Sequence, residues 1–212
     1  MGFKSYIESY NYEDPSQFIK EIKRDCKPYL KSGATLYRGM SEKPPFGYRI
    51  TRKDRKPRDS SKEFQMWIEK YADENNLPKR SESMFATKDL TTARDYGDLY
   101  YVFPKGNYRV LVYPDIPDMY LYMFMMKLPK DADKMSFDEL NEYLYKNLEG
   151  IDKQQHFRLA DRIEDYTLYK AGQKIPLELY REHEFTIECE GYYYISEQFT
   201  IQLAEEGIIK RT

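Results

Sequence analysis

The stretch "REHEFTIECEGYYYIS", residues 181–196, sets Glu182 and Glu184 either side of His183, ahead of a run of β-formers. Strand side chains alternate between faces, so the spacing predicts two carboxylates on one face, about 7 Å apart along the strand. Thr186 and Glu188 extend that polar face, while Phe185, Ile187 and Cys189 make the apolar one. The pattern suits a half-buried strand with a solvated acidic face, and equally a carboxylate pair placed for chemistry. Two other short stretches carry reactive groups. In "LYRGM", Arg38 sits on a short strand before Gly39, where a guanidinium can fork onto a phosphate or a carboxylate, or close a strand-end salt bridge. In "SMFATKDLTTARDYG", Ser83, Phe85 and Thr87 share one strand face ahead of a helix capped by Asp89. This offers hydroxyls and an aromatic ring at a strand edge, or ordinary strand-to-helix packing.

Other chemistries find little support. There is no Gly-rich phosphate loop. The two histidines, His156 and His183, lack zinc-ligand spacing, and no metal is expected. A serine hydrolase would have to use His183 as base, and no nucleophile elbow accompanies it. The run Arg49, Arg52, Lys53, Arg55, Lys56 and Arg58, opposed only by Asp54, is a local basic patch. It suits phosphate or acceptor contacts, a nucleic-acid backbone, or a solvated loop.

In order and spacing, these stretches resemble the motifs of the ADP-ribosyltransferase superfamily in its Arg–Ser–Glu branch. "LYRGM" resembles the first-strand arginine motif and "SMFATKDLTTARDYG" the middle motif, with Ala93 and Tyr96-Gly97 following. "EHEFTIECEGYYYI" resembles the late Glu-x-Glu strand start. The middle motif departs from Ser-Thr-Ser, reading Ser-Met-Phe-Ala-Thr, and Ser83 is preferred over Thr87 as its working hydroxyl. The basic stretch, the middle motif and "FPKGNY" are also similar to those of uncharacterised tailed-phage proteins. The resemblance implies an α+β, split antiparallel β-sandwich with flanking helices, and NAD as substrate without a metal. It also implies ADP-ribose transfer to a macromolecule, a protein side chain ahead of RNA or DNA, in the host cytoplasm. Glu184 would be the catalytic carboxylate, Ser83 its orienting hydroxyl and Glu182 the acceptor-facing group. Arg38, Tyr37, Gly39, Phe85, Thr87 and Tyr96 would surround NAD, with Phe85 or Tyr96 stacked on nicotinamide. Arg49, Arg52, Arg55 and Arg58 would contact phosphate or acceptor. The competing expectation is a non-catalytic phage protein that grips nucleic acid or protein through loop 49–58.

These residues need a scaffold. The 212 residues fit one domain with a helical insertion at about 120–180. Only 41% of residues are hydrophobic, but 22 Tyr and 11 Phe supply enough area for a core. The net charge of −2 argues for neither nucleic acid nor membrane, and two cysteines without a cluster point to a reducing compartment. No leader or membrane span is expected; "MYLYMFMMKLP" is too short and reads as core. Apolar spacing predicts a helix over 14–33 kinked at Lys27-Pro28, and further helices over 61–76, 90–97, 136–150 and 153–172. Strands are expected in "ATLYRGM", "SMFATKD" and "EHEFTIEC", with another in "QFTIQLAEEGI". "LYYVFPKGNYRVLVYP" reads as a hairpin turning at Pro104–Asn107, and 41–61 as a Pro-rich basic loop.

Overall fold

The computed structural model describes residues 15–41, 43–55, 62–116, 128–147, 163–180 and 182–209. It is an α+β protein with an eight-stranded antiparallel open sheet and several helices. In chain order the elements begin with α1 (Pro15–Asp25), α2 (Lys27–Ser32), β1 (Leu36–Met40), β2 (Phe46–Ile50) and α3 (Lys62–Glu74). Next come β3 (Met84–Thr87), α4 (Leu90–Asp95), β4 (Asp98–Pro104), β5 (Tyr108–Val112) and α5 (Phe137–Asn147). The chain continues through β6 (Thr167–Lys170), β7 (Glu184–Cys189), β8 (Gly191–Ser196) and α6 (Thr200–Glu205). Among the described residues no helix is long and apolar enough to cross a membrane.

Local chemistry sets many of these boundaries. Phe18, Ile22 and Cys26 form a fully buried stripe at helical spacing, and the helix breaks where α2 begins with Pro28 in its first turn. Asp89 caps α4 by accepting from the Thr92 amide at 2.6 Å. Ser136 and Glu139 close a reciprocal capping box on α5, with the Glu139 amide donating to Ser136 Oγ and the Ser136 amide to Glu139 Oε2.

The sheet order is β2-β8-β4-β1-β3-β7-β5-β6. The expected hairpin at Pro104–Asn107 does not form, because β4 and β5 do not pair with each other. Instead β4 runs on into β5 and pairs along its course with β8 and then β7. Pro104↔Tyr192 and Tyr108↔Cys189 flank the bend, where the Lys105 amide donates to the Gly191 carbonyl. The turn residues mark a bend and not a hairpin, because the run 184–196 offers both strands a longer partner than they offer each other.

Three further expectations are corrected. The basic loop contains β2, an edge strand recruited by β8. The segment after residue 165 forms β6, pairing with β5, rather than continuing a helix. "QFTIQLAEEGI" is helical at α6, with Leu203 its one buried residue, despite its β-branched Thr200 and Ile201. Residues 151–162, including His156, lie outside the described residues.

Two cores result. The larger lies under α1, α2, β1, β4 and β8 and extends to Met84, Ala86, Phe185 and Ile187. The second joins α3 (Phe64, Trp67, Ile68, Tyr71) to Leu111, Tyr113, Leu140 and Ile163. Of the expected insertion, Ala132, Leu140 and Ile163 therefore pack with α3 and the end of β5, whereas Ile175, Leu177 and Tyr180 join the larger core.

α4 is seated directly on β1. A Cβ built on Gly39 would stand 1.9 Å from the Ala93 carbonyl oxygen and 2.8 Å from Tyr96, so only glycine admits this approach. Gly39→Ala is expected to lower stability by about 2 kcal/mol or more, because the obstructing atoms are backbone and cannot swing aside. Chemical denaturation checks this; a change within about 0.5 kcal/mol, the usual range for harmless surface substitutions, would contradict the close packing.

Candidate active site

The strands carrying the three motifs are neighbours: β1 lies beside β3, and β3 beside β7. Thr87 is the shared point, paired with Tyr37 on one side and Glu184 on the other. β3 and β7 stay in register through Met84↔Ile187, whereas Tyr37↔Thr87 is the one residue pair joining β1 to β3. Beyond it the ladder parts. The Arg38 guanidinium occupies the parting, its Nη1 donating to the Phe85 carbonyl at 3.1 Å, with Cζ 5.8 Å from the centroid of Tyr192.

Ser83 precedes β3 with extended backbone (φ −120°, ψ 158°), so its side chain falls on the face of Phe85 and Thr87. It is 3% exposed, and its Oγ has no hydrogen-bond partner among the described residues. A buried hydroxyl left unsatisfied is costly, which marks this position for a polar contact beyond the fold's own needs. Thr87 is different: its Oγ1 accepts from the Asp89 amide at 3.1 Å and belongs to the turn into α4.

Glu184 is half-buried at the start of β7 and ion-paired with Arg80 Nη1. Arg80 was not singled out in the sequence. It lies on a 3-10 turn (Arg80–Glu82) that α3 holds in place: Glu69 accepts from the Ser81 amide at 2.8 Å and from Ser81 Oγ at 2.6 Å. The basic loop docks on the same turn through the Arg55 amide, which donates to the Ser81 carbonyl at 3.1 Å. Arg55 and Arg80 both stack on Phe85, with Cζ 4.3 and 4.2 Å from its centroid. The ring that the resemblance assigns to nicotinamide thus carries two guanidiniums. Burial, and then the charges of Arg38 and Arg80, push the Arg55 pKa down to about 10, against the opposing pull of Glu184. The only sequence signal for Arg80 was its place three residues before Ser83, and no spacing rule selects it.

Glu182 lies in the turn before β7 and is exposed, so it does not share a strand face with Glu184. The acidic face is also not simply solvated. Thr186 is 2% exposed, and Glu188 accepts from Arg109 Nε at 3.1 Å. His183 Nε2 lies 2.7 Å from the Pro114 carbonyl and its ring packs edge-on to Tyr180, an anchor for the turn. Cys189 is buried 3.3 Å from Thr51 Oγ1, and burial raises its thiol to about 11, out of range for a nucleophilic thiolate near neutral pH.

The remaining candidates are more dispersed. Tyr37 packs on Tyr101, Gly39 lies beneath α4, and Tyr96 is 60% exposed at the end of α4. Arg49 is half-buried on β2 opposite Tyr192, and exposed Arg52 pairs with Asp54. Arg58 lies outside the described residues. An open cleft of about 520 Å³ between Lys43, Arg94, Tyr100 and Glu197 is lined by none of Arg38, Ser83 and Glu184. Among the described residues no three His, Cys, Asp or Glu side chains converge as metal ligands. Comparison with protein-family models, curated proteins and solved structures finds no match.

The Arg80–Glu184 pair is largely enclosed, the side chains being 11% and 24% exposed. A double-mutant cycle of Arg80→Ala and Glu184→Gln is expected to give a coupling of about 1–3 kcal/mol in stability. Coupling below about 0.3 kcal/mol would mean that the two groups do not hold each other.

Proposed function

We propose that this chain is an NAD-dependent ADP-ribosyltransferase, a glycosyl-transferring enzyme that passes ADP-ribose from NAD to a macromolecular acceptor. The supporting observation is the adjacency of β1, β3 and β7, which sets the strands of three motifs far apart in the chain side by side, with Tyr37 and Glu184 either side of Thr87. The parting of the ladder between β1 and β3 supports an ADP-ribosyltransferase-like split sandwich as the finer description of the sheet.

In this reading the bond between the anomeric carbon of the ribose and nicotinamide nitrogen breaks and nicotinamide leaves as a neutral base. The transition state is positive at the ribose, and the Glu184 carboxylate stabilises it while bonding a ribose hydroxyl. Arg38 binds NAD phosphate or ribose. The register sets Thr87 opposite Glu184 and leaves Ser83 about 13 Å further along β3, so Ser83 Oγ, without a partner among the described residues, is available to the ligand and not to the carboxylate. The acceptor's nucleophile bonds to the anomeric carbon, and its proton passes to Glu182 or to water. The exposed turn position of Glu182 suits a group that meets an incoming acceptor, and a guanidinium on a protein is the acceptor type a carboxylate there would hold best. The resemblance to tailed-phage proteins makes a phage effector acting in the host cytoplasm the natural setting. The competing binding-protein reading is weakened by the basic loop itself, since Arg55 is folded onto Phe85 and Arg52 is paired with Asp54.

With labelled NAD and a cell lysate, Glu184→Gln is expected to lower transfer by at least about 100-fold while leaving the melting temperature near that of the parent. Near-parental labelling by this variant would remove the carboxylate from the mechanism. Label lost after protease and retained after nuclease is the outcome expected of a protein acceptor; the reverse would assign RNA or DNA instead.

A further inference from the structure

We infer that Arg38, Arg55 and Arg80 together form a binding site for a small diphosphate-bearing ligand, organised on the ring of Phe85. The cluster draws one guanidinium from β1, one from the basic loop and one from the 3-10 turn before β3. Two of them lie within 4.3 Å of a single ring centroid, and the third bonds the carbonyl of that same residue. Three positive charges face one carboxylate, Glu184, so the described groups leave an excess of two.

Holding like charges together in a partly buried place is unfavourable, and the fold stabilises the arrangement by several separate contacts. Arg55 is tied through its amide to Ser81, the Ser81 turn is tied to Glu69, and Arg38 is tied to Phe85. A solvated basic loop would need none of these. The depressed Arg55 pKa has the same origin, burial beside other arginines. Planar guanidiniums converging from different directions fit the several oxygens of a compact polyanion. Guanidiniums held around a single ring suit a short, compact polyanion such as a diphosphate. Ser83 Oγ, buried on the Phe85 face without a hydrogen-bond partner among the described residues, adds a neutral hydrogen-bonding group to that face.

This inference stands on the cluster and does not require NAD turnover. The test is calorimetric titration of the full chain with inorganic pyrophosphate, then with ADP. Binding is expected for both, and Arg55→Gln and Arg80→Gln should each raise the Kd at least about tenfold. Arg52→Gln, which removes an exposed arginine of the same loop, should leave it unchanged. If a glutamine variant melts early, the lysine variants Arg55→Lys and Arg80→Lys keep the charge but lose the fork, and should still bind several-fold more weakly than the parent. Absence of pyrophosphate binding by the parent overturns the inference. So does equal weakening by Arg52→Gln and Arg55→Gln, which would reduce it to loop electrostatics. Pyrophosphate binding without NAD turnover would uphold the cluster and sink the transferase reading; turnover without involvement of Arg55 and Arg80 would do the reverse.

Discussion

The structure depends on the place where β1 and β3 part. An antiparallel ladder continuing from Tyr37↔Thr87 would set Arg38 opposite Ala86 and then Gly39 opposite Phe85. No further β1–β3 pair forms: Gly39 is covered by α4, and the Phe85 carbonyl accepts from the Arg38 guanidinium. A side chain thus replaces a rung of the sheet. The opening this creates is bordered by backbone on both sides. That is a rigid way to hold over β3 an arginine whose own strand lies two strands from the one that carries Glu184.

Electrostatics then decide what the opening is suited to. Glu184 has Arg80 as its partner, and Arg80 shares Phe85 with Arg55. Arg55 and Arg80 gain from the ring and from Glu184, and Arg55 loses from Arg38 and Arg80. The support comes from outside the cluster: α3, whose apolar face is fixed in the second core, presents Glu69 to the Ser81 turn. The second core therefore holds in place the turn that carries Arg80. It also extends to Ala132, Leu140 and Ile163 of the region that the sequence suggested was an insertion, so those residues brace the site indirectly through α3.

Much of this was legible in the residues. Capping chemistry at Asp89 and Ser136, the kink at Pro28 and the strands of the three motifs follow from local rules that act over a few residues. Errors arose where a distant partner outweighed a local preference. The bend at Pro104–Asn107 looks like a hairpin until the 184–196 run is seen to pair across it. Phe46–Ile50 and Thr167–Lys170 become strands because an edge of the sheet is available to each. The site divides in the same way. Arg38, Ser83 and Glu184 were accessible through motif order, whereas Arg80 was not, since its role comes from a turn whose position is set by α3. Glu182 was misplaced because alternation was extended two residues before the strand begins.

The central claim is that the parted strands hold NAD with its ribose at Glu184 and its diphosphate among the three arginines. A crystal structure of the chain with a non-hydrolysable NAD analogue tests it most directly. The account predicts the ribose carbon that bears nicotinamide against the Glu184 carboxylate, a hydrogen bond from Ser83 Oγ within the site, and the diphosphate oxygens on Arg38, Arg55 and Arg80. The analogue bound elsewhere, for example in the cleft lined by Arg94 and Glu197, with Arg80 still on Glu184, would contradict it.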